Sequence, residues 1–149
     1  MHSEEKKVII YTDGGSRGNP GPAAFGYVIK DASGNLLKQY GEAMGKATNN
    51  EAEYQAVIAA LKKTKQMLGK EKLKHTYIEV RMDSELAVRQ LSGVYKIENE
   101  RLQPLFMEMW NLRVELGGKV SFIHVPREQN KEADRMVNEA LDAEQKGLF

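Results

Sequence analysis

Apolar residues run without interruption through Val8-Ile9-Ile10-Tyr11-Thr12 and stop at Asp13-Gly14-Gly15. Val, Ile and Tyr favour a strand, whereas Asp is depleted from strands and costly to bury unpaired, so Asp13 is either a turn residue or a ligand. Gly14 to Pro22 reads as a long punctuated turn. Two further strands follow, 24–30 and 36–40, around the short Gly-containing connection 31–35, which together with the first predict an antiparallel meander of three. From residue 50 to 68 the period changes to that of a helix, with Ala56, Val57, Ala60, Leu61, Thr64 and Leu68 on one stripe and Thr48 or Asn49 as its cap. A strand at 76–82, a short helix at 84–91 and a longer helix at 99–116 come next; the longer one carries Leu102, Leu105, Phe106, Met109 and Leu116 on one side. Gly117-Gly118 stops it, 119–125 forms a fifth strand ended by Pro126, and Asn130 caps a last helix built on Ala133, Met136, Val137, Ala140 and Leu141.

Composition narrows the class. A chain of 149 residues with 41% apolar and 29% charged residues fits one soluble domain, residues 1–149, with fraying expected only at 1–6 and 143–149. Lys plus Arg (22) nearly cancels Asp plus Glu (21), so no broad basic field is present and any nucleic acid has to be gripped locally. The absence of cysteine excludes disulfides, thiolate metal sites and cysteine nucleophiles. Residues 1–7 are too polar for a signal peptide, and no run approaches the roughly 20 apolar residues of a spanning helix, so a cytoplasmic protein without a membrane partner is expected.

Four acids then stand out. Glu53 lies at helical spacing on the face of Val57, Ala60, Thr64 and Leu68, while Glu51 points the other way with Gln55 and Lys62; a charge on a core face needs a partner. Asp83 ends a strand, where helix capping is the competing role, and Asp134 lies one turn into the last helix, where a solvated acid favoured by the helix dipole competes. Two strand ends and two helix starts can converge at one edge of a sheet. Such a cluster would repel itself unless divalent cations neutralised it, and an all-oxygen ligand set selects Mg²⁺ or Mn²⁺ over Zn²⁺.

Taken together, Tyr11-Thr12-Asp13-Gly14-Gly15-Ser16-Arg17-Gly18-Asn19-Pro20-Gly21, Thr48-Asn49-Asn50-Glu51-Ala52-Glu53, Met82-Asp83-Ser84 and Asn130-Lys131-Glu132-Ala133-Asp134 resemble type I ribonuclease H, over nearly the whole chain from Val8 to Leu141. The resemblance implies an α/β, ribonuclease H-like mixed five-stranded sheet, three antiparallel strands then two parallel, with helices on both faces. It implies an endoribonuclease that hydrolyses the RNA strand of RNA/DNA hybrids and leaves 5′-phosphate and 3′-hydroxyl ends. Asp13, Glu53, Asp83 and Asp134 then look like the metal-binding catalytic set, holding two Mg²⁺ ions, or Mn²⁺ as a substitute, roughly 4 Å apart around the scissile phosphate. Gly14, Gly15, Ser16 and Asn19, in a loop with little bulk, and the pair Asn49 and Asn50 would face the 2′-hydroxyls of the wide minor groove, while Lys46, Thr48 and Asn99 match positions that hold a DNA-strand phosphate.

The match departs from the family in two places. Many members carry a basic protrusion between the second and third helices, where this chain has only Ser92 to Glu98; this compact form is expected to bind modestly, with strong salt dependence, and leaves double-stranded RNA open as a further substrate. The family's catalytic histidine has two candidates for its place. His124 sits ten residues before Asp134 but reads as a structural residue inside the strand with Val120 and Phe122, and Arg127 is a candidate phosphate contact, always charged but unable to shuttle protons. A catalytically weak nucleic-acid-binding relative is the alternative reading. A monomer is expected, Lys62, Lys63 and Lys65 read as a solvated helix face, and Trp110 as core closure at the rim of its helix.

Overall fold

The computed structural model describes residues 6–147. Three strands, β1 (Lys6–Ser16), β2 (Gly21–Asp31) and β3 (Leu36–Ala47), lead into helix α1 (Asn49–Leu73). Strand β4 (Thr76–Met82), helices α2 (Glu85–Leu91) and α3 (Gln103–Glu115), strand β5 (Val120–His124), one 3₁₀ turn (Arg127–Gln129) and helix α4 (Lys131–Gln145) complete the order. Most of the tails expected to fray, 1–5 and 148–149, lie outside the described residues. Inside that range Lys6 already pairs with Thr76 and α4 runs through Gln145, so the ordered fold reaches further at both ends than 7–142. Among the described residues no helix is long and apolar enough to cross a membrane.

The five strands lie in the order β3-β2-β1-β4-β5, antiparallel from β3 to β1 and parallel from β1 to β5. The central position of β1 accounts for its apolar run: Val8 and Ile10 join Phe25, Ile29, Ile78 and Val80 in a core covered by Val57, Ile58 and Leu61 of α1 and Met109 and Leu112 of α3. On the opposite face α4 packs Ala133, Met136, Val137 and Leu141 against Ala24 and Val28, with Tyr11 at its margin. Helices thus cover both faces, as expected.

The boundaries differ where tertiary contacts override local propensity. Gly14 and Gly15 continue β1 instead of opening the turn, which begins only after Ser16. The reason at Gly14 is close approach: a Cβ there would stand 2.2 Å from the backbone carbon of Ala52, so only glycine lets α1 lie this near the strand. Opposite Asp13 in the ladder, Gly26 does the same for α4, since its Cβ would meet that of Met136 at 2.7 Å. The third helix starts at Gln103, not Asn99; Asn99 closes a turn, its side chain accepting from the Arg101 N–H at 2.8 Å, and Pro104 fits the first helical turn, where no intrahelical donor is needed. Helix α1 is capped by Thr48 in a capping box with Glu51, and it continues past a break at Gly69 to Leu73.

Asn130 stands at the N-cap position of α4, as expected, but its side chain does not do the capping. Its side chain makes no bond to the helix's own N–H groups and instead donates from Nδ2 to the Thr12 carbonyl at 2.9 Å. A side-chain cap is worth about 1 kcal/mol, and α4 forgoes it. The lysines of α1 are also not simply solvated: Lys62 pairs with Glu108 at 2.7 Å and Lys65 with Glu115, tying α1 to α3. Trp110 sits at the rim of α3, stacked by Arg113 and tilted against Phe106.

Candidate active site

β1 and β4 are adjacent and parallel, so Asp13 near the end of one and Asp83 just after the other emerge at the same edge of the sheet. The close packing of α1 on Gly14 brings the first turn of that helix, with Glu53, to the same edge. One carboxylate oxygen from each of Asp13, Glu53 and Asp83 lies within 4.8 Å of the others. Asp134, in the first turn of α4, is more exposed and stands outside this set of three, but it lines the same cleft and adds to the rise of the Asp13 carboxyl. A cleft of about 340 Å³ is lined by all four acids together with Gly14, Gly15, Ser16, Arg17, Asn49, Arg127 and Asn138.

The competing roles of these acids resolve on geometry. Ser84, not Asp83, caps α2, its hydroxyl accepting from the Ala87 N–H at 3.2 Å. Glu51 spends its carboxylate on the Thr48 N–H at 3.0 Å, whereas Glu53 is turned into the cleft, where its Oε2 is buried without a hydrogen-bond partner.

Burial dominates the electrostatics. It pushes the Asp13 carboxyl up to about 8, reinforced by the Asp83 charge, by the hydrogen bond and charge of Asp134, and by Glu53. Glu53 is pushed up to about 7, again first by burial, with the Ser84 hydroxyl pulling it back and the Asp83 charge adding to the rise. Among the described residues none of the four acids takes part in an ion pair. Convergent carboxylates, an orphaned buried oxygen and a donor set of oxygen alone fit a hard divalent cation, whose charge would offset both the burial and the repulsion that raise the two groups.

The remaining sequence candidates divide. Ser16 and Asn49 line the cleft and are joined, the Ser16 N–H donating to Asn49 Oδ1 at 2.8 Å; the Asn49 N–H in turn donates to Asn19 Oδ1 at 3.0 Å, which pins the glycine-rich turn to the start of α1. Asn19 is exposed on that turn, outside the lining, and Asn50 follows Asn49 in α1, also outside it. Lys46, Thr48 and Asn99 are not cleft residues; Lys46 is exposed at the end of β3, Thr48 caps α1, and Asn99 closes the turn before α3. Arg127, on the 3₁₀ turn, lines the cleft. His124 is the exposed last residue of β5, opposite Met82, and does not line it. Two lining residues escaped the sequence reading: Asn138, and Arg17, which reaches Asp142 at 2.8 Å and Gln145 at 2.5 Å on α4. Arg17 stands within the motif around Asp13, but no local pattern reveals that its partners lie 125 and 128 residues away.

Strand order, register and the acid cluster together define a ribonuclease H-like fold. A family model described as reverse transcriptase-like matches residues 11–140. The structure of LC11-RNase H1, isolated from compost by a metagenomic approach, superposes with a TM-score of 0.87 at 48% identity, covering 96% of this chain and 99% of that one. The same protein is also known in complex with an RNA/DNA hybrid. A bifunctional protein of Mycobacterium tuberculosis is 41% identical over 92% of this chain, and the ribonuclease HI of Halobacterium salinarum is 40% identical over 91%. The chain spans 36% of the length of the first of these curated relatives and 65% of the second. The chain belongs to the reverse transcriptase-like family and, within it, to the type I ribonucleases H.

Proposed function

We propose that this protein is a divalent-cation-dependent endoribonuclease that hydrolyses the RNA strand of an RNA/DNA hybrid, acting as a monomer. The observation that carries the reading is the meeting of Asp13, Glu53 and Asp83, with no cationic side chain paired to any of them among the described residues. A family likeness to LC11-RNase H1, itself known with a bound hybrid, supports the choice of substrate.

In this reading Asp13, Glu53, Asp83 and Asp134 hold the cations, Mg²⁺ first and Mn²⁺ as a substitute. Divalent cations, when bound, supply the Lewis acidity that lowers the pKa of water and stabilises a departing oxygen. The chain's own residues do the rest. Asp13 and Glu53 give up the protons that burial makes them keep, and their carboxylates then stand fixed by β1 and α1 at the sheet edge. Ser16 and Asn49, already bonded to each other, present a narrow wall of backbone and amide groups to the RNA sugar, with Gly14, Gly15, Asn19 and Asn50 beside them. Arg127 enters the same cleft and would meet phosphate charge; His124, at the end of β5, would act only on groups that extend past the cleft rim. Lys46, Thr48 and Asn99 would take a DNA-strand phosphate at a second point.

The test is cleavage of a labelled hybrid with Mg²⁺, Mn²⁺ or EDTA, beside single-stranded and double-stranded RNA. Metal-dependent 5′-phosphate products from the hybrid, lost in Asp13→Asn, support the reading. Hybrid retention with no cutting at any metal concentration overturns it in favour of a binding protein.

A further inference from the structure

Asn130 is almost completely buried, at 1% exposure, and it bonds to two cleft residues and to the residue before a third. Its backbone N–H donates to the carbonyl of Arg127, its own carbonyl accepts from the N–H of Asp134 at 3.1 Å, and its side-chain Nδ2 donates to the carbonyl of Thr12 at 2.9 Å. Thr12 is joined by one peptide bond to Asp13. The path from the Asp134 backbone to the Asp13 backbone therefore passes through two residues, Asn130 and Thr12, although the two acids are 121 positions apart in the chain.

The side-chain bond is not an incidental choice. Asn is among the best capping residues, and its side chain here stands at the start of a 15-residue helix without capping it. Its Oδ1 is buried with no partner, so half of the amide stays unsatisfied while the other half holds the Thr12 carbonyl. That carbonyl lies just past the last β1–β4 pair, Tyr11 opposite Arg81, where β1 goes on without its parallel neighbour. The amide thus ties β1 to the start of α4 just past the end of the β1–β4 ladder, while β2 still pairs with the strand as far as Ser16.

We propose that Asn130 is a positioning residue that sets the approach of Asp134 to Asp13 and, through it, the affinity of the acid cluster for a divalent cation. The inference rests on the reading that Asp13 and Asp134 share one cation site. A partner that orients ligands in this way typically governs affinity by about 10- to 100-fold.

Mn²⁺ titrated calorimetrically into the metal-free full chain is the test, with Asn130→Ala and Asn130→Ser as variants. Ser can cap α4 but is too short to reach Thr12, so it separates capping from positioning and guards against a variant that fails to fold. Asn130→Ser is expected to weaken Mn²⁺ binding about tenfold and to lower kcat on the hybrid by a similar factor, with KM within about twofold. In an Asp134→Asn background the same substitution should add less than about twofold, because its effect passes through Asp134. A folded Asn130→Ser protein that binds Mn²⁺ like the parent, or a tenfold loss that recurs without Asp134, overturns the proposal. A parent that binds Mn²⁺ but cuts no hybrid removes the nuclease reading alone, and the cation titration still decides the role of Asn130. A parent that binds no Mn²⁺ overturns both, and is told apart by the parent's own titration.

Discussion

Acids in and beside one sheet are treated in opposite ways. Glu79, in the middle of β4, is 7% exposed and is held by Lys7 at 2.7 Å and Arg81 at 2.6 Å. Burial alone would raise its carboxyl, but those two cations outweigh it and leave Glu79 below the usual carboxylate range. Four residues further along the chain, Asp83 joins Asp13 and Glu53 with no such partner, and there burial and mutual repulsion win. Arg81 also donates to the Tyr11 hydroxyl at 2.7 Å, so the cationic side of the sheet is fully committed and none of it is spent on the acid cluster. A buried acid given its own cation is structural; a buried acid group left without one is reserved for a cation from outside.

The largest break in this contrast comes from removing a charge at the unpaired end. Asp13→Asn should cut hybrid cleavage by about 10³-fold or more, since it removes an interaction that matters most in the transition state. It should at the same time raise the melting temperature of the metal-free chain, by about 2–4 °C for each kcal/mol of relieved repulsion. Loss of activity together with a gain in stability, measured by assay and thermal melt on one preparation, marks a site held in a strained state for function. A fall in both would make Asp13 an ordinary structural residue.

The two sets also carry opposite pH signatures. In the unfolded chain Asp13 and Glu53 lose their protons at 3.8 and 4.5, whereas in the fold they keep them to about 8 and about 7. Between those limits the folded state binds more protons than the unfolded one, so the stability of the metal-free protein should fall as pH rises through this window. The lowered Glu79 works in reverse: its contribution is present above its unfolded value of 4.5 and is lost as pH falls through its lower folded value. Thermal melts in EDTA should therefore decline from about pH 5 to about pH 8, by several degrees, and saturating Mg²⁺ should flatten that decline. A metal-free melting temperature that climbs over the same range would contradict the raised carboxyls.

Much of this contrast was legible in the sequence, and the limits of what could be read have physical causes. Glu53 announced itself because a charge on the face of Val57 and Ala60 breaks helical periodicity, and its Oε2 is indeed buried. The antiparallel meander of the first three strands followed from the pattern, and the mixed five-stranded sheet from the resemblance. Gly14 could not be read correctly, because glycine marks a turn or a close approach equally well, and only the position of Ala52 decides between them. Asn130 was assigned to its helix for the same reason: its local propensity is to cap, while its partner, Thr12, is 118 residues away. Glu79 and Asp83 lie four residues apart, in and just after one strand, the first paired with two cations and the second with none among the described residues. Nothing local to either residue reports which has a cation.

On the paired side, Arg81→Ala should cost about 1–3 kcal/mol, because Glu79 stays buried with one of its two cations gone and the Tyr11 hydroxyl loses its donor. Cleavage per folded molecule should remain near that of the parent, since Arg81 is not a cleft residue. Denaturant titration gives the first quantity and the hybrid assay the second. A tenfold drop in kcat with unchanged stability would mean that the paired and unpaired acids are one electrostatic unit, and the division drawn between them would have to be abandoned.

The smallest effect is expected where charges meet in water. Lys62 and Lys65 pair with Glu108 and Glu115 across α1 and α3, all four side chains between 43% and 57% exposed. Solvent screens such pairs to about 0–1 kcal/mol, so Lys62→Ala and Lys65→Ala should shift the denaturation midpoint barely, and less still in high salt. Their value is as a control on affinity. Each lysine already faces a glutamate, so its loss should leave hybrid KM within about twofold at moderate salt, whereas a true phosphate contact would weaken binding and flatten the salt dependence by about one unit of slope. A lysine variant that flattens this slope would place a substrate strand along α1, on a surface that its ion pairs now mark as structural.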